Sequence, residues 1–97
     1  MKATFLDAAI SELNDTFRYY ELQQTNLGHR FVAAVKESVE LIEYYPKGWH
    51  CLSPNIRRCL VKNFPYGVIY QIKDDNIFIL AISNLHRKPN YWENRVS

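Results

Sequence analysis

The sequence predicts an α+β domain over residues 1–97, with an N-terminal helical hairpin packed on a small antiparallel sheet in the order β-α-α-β-β-β-α. Three observations predict it. Apolar residues recur at helical spacing in two consecutive stretches of the first half. "YYPKG" (44–48) then stops the second helix with Pro46 and Gly48. From residue 56 onward the apolar period changes to that of strands.

Residues 2–5 form a short first strand, favoured by Thr4 and Phe5. Leu6, Ile10, Leu13, Phe17 and Tyr20 then mark one apolar helix face, with Glu12, Asp15 and Glu21 outside it. The polar "QQTN" (23–26) breaks the helix, and Leu27, Phe31, Val35, Val39 and Ile42 mark a second one. The two make an αα-hairpin. "IRRCLVKNF" (56–64) alternates as a strand, sending Arg58, Leu60 and Lys62 to one face and Arg57, Cys59 and Val61 to the other. "PYGVIYQI" and "NIFILAIS" are two more strands joined by a "KDDN" hairpin turn. "IFILAI" is apolar on both faces, which places it inside the sheet. Pro89 suits a first helical position, so the tail with Tyr91, Trp92 and Arg95 is expected to be a short final helix.

Ninety-seven residues bury only about two-thirds of their unfolded surface, so a partner would add to a thin stability margin. The start turns polar too early for a signal peptide, and the longest apolar run falls far short of the ~20 residues that span a bilayer. A soluble, cytoplasmic protein with no membrane contact is expected. Cys51 and Cys59 lie eight apart and are expected as reduced thiols. His50, Cys51, Cys59 and His86 lack the paired short spacing of a structural zinc site, and no Gly-rich phosphate loop exists, so neither a metal nor a cofactor is expected. The net charge of +2 conceals an asymmetry. Residues 1–46 carry four Lys/Arg against seven acids, a net −3; residues 47–97 carry eight against three, a net +5. The second half is therefore suited to an anionic partner, either nucleic acid or an acidic protein segment.

Three stretches, "AAISELNDTFRYYELQQTNLGHRF", "RRCLVKNFPYGVIYQI" and "ILAISNLHRKPNYWENR", cover most of the chain. In this order and spacing they resemble the RelE/ParE superfamily of toxins from type II toxin–antitoxin systems, the plasmid-stabilisation family. The resemblance implies the fold described above and a cognate antitoxin as partner. It also implies one of two targets: RelE-like members cut mRNA in the ribosome, and ParE-like members inhibit DNA gyrase.

Cleavage through a 2′-OH needs a general base, a cation at the phosphate and an acid for the leaving oxygen. Arg58, Lys62, His86, Arg87 and Tyr91 are the candidates if the chain is a ribonuclease. As a binding surface for antitoxin or target, the candidates are Arg57, Arg58, Lys62, Arg87, Lys88, Tyr91, Trp92 and Arg95, with Tyr91 and Trp92 also suited to anchoring the tail. Two departures bear on the choice. RNA-cleaving relatives carry a basic residue where Gly67 stands, and many relatives carry His where Asn84 stands. Both favour the ParE-like reading, with growth arrest through gyrase. RelE-like mRNA cleavage and a non-toxic partner-binding protein of the same fold remain as alternatives.

Overall fold

A computed structural model describes residues 1–97. The elements are β1 (Ala3–Phe5), α1 (Asp7–Gln23), α2 (Leu27–Tyr44), β2 (His50–Ser53), β3 (Ile56–Leu60), β4 (Tyr66–Lys73) and β5 (Asn76–Asn84), followed by a 3₁₀ turn at Glu93–Arg95. The strands form one sheet in the order β1-β5-β4-β3-β2. β1 runs parallel to β5, and every other pair is antiparallel. The expected α+β class and helical hairpin hold, with three corrections. The sheet is mixed, because its first strand lies parallel at the edge. A strand not expected from the sequence, β2, lies on the other edge, turned back from β3 by Pro54 and Asn55, the latter at φ 70°. The final helix is one 3₁₀ turn only.

The hairpin closes by contact and by capping. A Cβ on Gly28 would lie 2.5 Å from the Phe17 carbonyl oxygen, so the helices approach where a side chain is missing. Asn26 has φ 71° and offers no side-chain cap to α2. Glu21 does that work from α1, accepting the N–H groups of Asn26 at 3.1 Å and Gly28 at 2.9 Å. Those bonds, Asn26's first, hold its carboxyl below the usual range.

The hairpin covers one sheet face. Phe31, Val35, Val39 and Ile42 of α2 are buried there against Cys59, Val68, Tyr70, Ile77 and Ile79. The α2 stripe is as read from its spacing. The α1 stripe is rotated: Ala9 and Thr16 are its buried residues, whereas Ile10 is 42% exposed. Small side chains let α1 lie close to the sheet, and a search for large apolar residues passes over them. Tyr20, Phe31, Phe64 and Tyr66 close one end of the core with ring centroids 5.0 to 6.2 Å apart.

A β-bulge sets up the opposite face. Ile69 pairs with Ala81, but Tyr70 pairs with Ile79, so Leu80 is the extra residue. Leu80 and Ala81 therefore both join a second cluster with Ile56, Ile69 and Trp92, while Ile79 and Ile82 stay in the first. This accounts for the apolar run on both faces of β5. The β4–β5 turn places Asp74 and Asp75 at φ 51° and 64°, as a two-residue hairpin requires.

Two outcomes follow from this packing. Gly28→Ala should lower stability by about 1–3 kcal/mol through overpacking, although Ala is the better helix former by ~1 kcal/mol. Urea unfolding measures it, and an unchanged midpoint would contradict the close helix approach. Burial pushes the Tyr70 phenol from 10.0 up to about 12, and its O–H donates to the Pro46 carbonyl. The folded state thus holds the proton more tightly than the unfolded one. Stability should be intact below pH 10 and fall between about pH 10 and about pH 12, by an amount on the order of 2–3 kcal/mol from this group. Tyr70→Phe should flatten that decline in denaturant series at about pH 9 and about pH 11.5.

Candidate functional site

The sheet face away from the hairpin carries a small cleft of about 140 Å³ between β3–β5 and the loop 85–92. Arg58, Ser83, Arg87, Lys88, Asn90 and Trp92 are among its walls. Each arrives by a local cause. Arg58 alternates out of β3 to this face because Cys59 must point into the hairpin core. Its stem crosses Gly67, where a Cβ would lie 2.9 Å from both Cγ and Cδ of Arg58. Gly67 thus supplies room for the Arg58 side chain. The bulge at Leu80 shifts the alternation of β5 and brings Ser83 to the cleft side.

The loop wall is fixed by an acid from α1. Glu12, with its side chain 14% exposed, accepts the Ile82 N–H at 3.1 Å and the Tyr91 hydroxyl at 2.7 Å. Arg95 donates to its two oxygens at 2.8 and 3.3 Å and to the Leu80 carbonyl at 3.0 Å. Arg87 stands 3.6 Å from the same carboxylate and lies over the Tyr91 ring at 3.8 Å. Burial first, then the bond to Glu12, pushes the Tyr91 phenol above its ordinary pKa. Trp92 is 6% exposed and plugs the second cluster.

The residues singled out from sequence therefore separate. Arg58, Arg87, Lys88 and Trp92 line the cleft, with Tyr91 and Arg95 behind it on Glu12. Arg57 leaves the opposite face and donates to the Trp49 carbonyl at 2.9 Å. Lys62 does not continue a stripe from Arg58. β3 ends at Leu60, and Lys62 lines a different depression with Arg30 and Glu37 beside α2. His86 is exposed in a turn where its N–H donates to Asn84 Oδ1 at 2.8 Å, and it is not a wall of the cleft. Glu12 went unseen as part of the site because an acid just off an apolar helix stripe reads as solvated. Its one sequence signal is the excess of cations in the tail, which need a partner.

The Nε of Arg58 is buried with no hydrogen-bond partner. Leaving a charged donor unsatisfied costs about 1–3 kcal/mol or more, so Arg58 gains from any small shift that brings an acceptor to it. Three cations and no acid line it. That lining is chemically suited to an anion. No three His, Cys, Asp or Glu side chains come together as a metal-binding group, and no helix is long and apolar enough to cross a membrane. Glu12→Gln should remove about 3 kcal/mol of stability by stranding the Arg95 charge. In a Trp49→Phe background, Trp92 fluorescence should report the tail leaving before global unfolding; a single transition at the parental midpoint would contradict the clip.

The comparisons with known proteins bear on this arrangement. The family model of the ParE toxin of the type II toxin–antitoxin system parDE matches residues 4–91. A solved structure described as a chromosomal ParDE TA system from P. aeruginosa shares the fold at TM-score 0.76 and 18% identity, over 87% of this chain and 95% of that one. No curated protein matches the sequence. The family resemblance carried by the three quoted stretches thus holds across nearly the full length, and the chain belongs to the ParE toxin family of type II toxin–antitoxin systems.

Proposed function

We propose that this chain, acting as one toxin domain over residues 1–97 in the cytoplasm, arrests growth by a protein contact that inhibits DNA gyrase, and that a cognate antitoxin neutralises it. One observation carries the choice of target. The cleft walls hold Arg58, Arg87 and Lys88 but no His, Tyr or carboxyl side chain. His86 is outside its walls, and the Tyr91 hydroxyl is engaged with Glu12. Cleavage through a 2′-OH requires a base and an acid at the reacting phosphate; a binding surface requires neither. Gly67, where RNA-cleaving relatives carry a basic residue, supports the same reading, because its space is taken up by the Arg58 stem.

The antitoxin is supported by the family and by the matched ParDE system. It is supported physically by the net +5 of residues 47–97, which suits an acidic amphipathic segment. Such a segment would also stabilise a small domain by mass action.

The purified protein should inhibit supercoiling by gyrase and leave mRNA intact at the ribosomal A site in a translation extract. Expression without antitoxin should stop growth. Cleavage with gyrase unaffected would overturn the target in favour of the RelE-like reading, and normal growth with soluble protein would overturn toxicity itself.

A further inference from the structure

We propose that the cleft is a socket for one carboxylate, presented by a protein partner as an Asp or Glu between apolar residues, with Arg58 as the residue that holds it. The inference rests on the reading of this chain as a toxin that works by binding proteins, and it assigns the chemistry of the contact.

Three features support a single anionic group. Arg58 keeps a buried, unpartnered Nε–H, and a guanidinium satisfies a carboxylate through a pair of parallel donors. Arg87 and Lys88 stand on the facing wall, no Asp or Glu is among the lining residues, and the one acid near Arg87, Glu12 at 3.6 Å, is shared with Arg95. Arg58 is held there by shape, since its stem lies in the space left by Gly67.

Two features favour a protein over a nucleic acid. The cleft, at about 140 Å³, is well below the ~300–1,000 Å³ of sites that enclose whole small ligands, so it admits a side-chain head and not a nucleotide. Leu85, one of its walls, is 42% exposed, and Leu60, the cross-strand partner of Gly67, is 57% exposed. Exposed leucines flanking a cation match an acidic residue set among apolar ones, whereas a phosphodiester backbone gives them nothing to cover.

The probe is the peptide acetyl-Leu-Glu-Leu-amide, titrated into the full chain while NMR follows the Arg58 Nε–H and the Ser83 and Leu85 amides. A saturable shift in the millimolar range is expected. Replacing Glu with Gln in the peptide should weaken binding roughly tenfold, the worth of one charge-assisted pair. Arg58→Met should have the same effect on the amide shifts. Gly67→Ala should as well: it keeps every charge but displaces the flexible Arg58 stem, so it separates position from charge. Circular dichroism confirms that both variants fold. No saturable shift, equal binding of the Gln peptide, or unchanged binding in folded Gly67→Ala overturns the socket. Tighter binding of hexauridylate than of the Glu peptide at the same resonances overturns the protein partner. Because the readout is direct binding, failure of the gyrase assay would leave these results unaltered and is distinguishable from failure of the socket.

Discussion

The carboxylate of Glu12 is the point on which three separate parts of the chain depend. β1 pairs with β5 only as far as Phe5 and Ile79, and Leu6 adds one more bond to the Ile79 carbonyl. Beyond that point the edge of β5 has lost its neighbour strand. The Leu80 carbonyl is taken by Arg95, and the Ile82 N–H by Glu12. An acid and a base thus complete the sheet edge where backbone runs out, and their mutual ion pair satisfies the charges that this places in a semi-buried site. The same carboxylate receives the Tyr91 hydroxyl. A tail with only one 3₁₀ turn of regular structure is thereby fastened to α1 across nearly the whole sequence.

The candidate site inherits its rigidity from this clip. Arg87 and Lys88 lie on a loop bounded by Asn84 at the end of β5 and by Tyr91 and Trp92, and its far end is tied down by Glu12 and by burial of the indole. The opposite wall is the sheet itself, with Arg58 laid over Gly67 and Ser83 turned inward by the bulge. A cationic cleft between a fixed loop and a sheet costs little to order on binding. That property fits the protein contact proposed above for this member of the ParE toxin family.

Where one kind of physics decides an element, the sequence was sufficient. α2 follows its spacing because four large apolar residues face the core, and the β4–β5 hairpin follows two Asp residues that tolerate positive φ. What was not legible depends on competition between levels. The stripe on α1 is led by Ala9 and Thr16, because close packing on the sheet outweighs hydropathy. β2 was hidden, since four residues before a Pro-Asn turn carry too little pattern to stand out from a loop. Lys62 left its expected face because β3 ends at Leu60, before the turn at Asn63. Gly67 read as a missing charge, but its use is spatial, and only the position of the Arg58 stem reveals it. Glu12 and Arg95 are 83 residues apart, and no local pattern links them.

Amide hydrogen exchange at Ile82 tests the Glu12 clip most directly. The Ile82 N–H points away from β4 to the Glu12 carboxylate, so the β4–β5 ladder does not protect it and the clip does, together with burial of the residue. Exchange as slow as that of the amides within the β4–β5 ladder is expected. Exchange at the rate of a solvent-facing edge amide, with the ladder still protected, would contradict the clip.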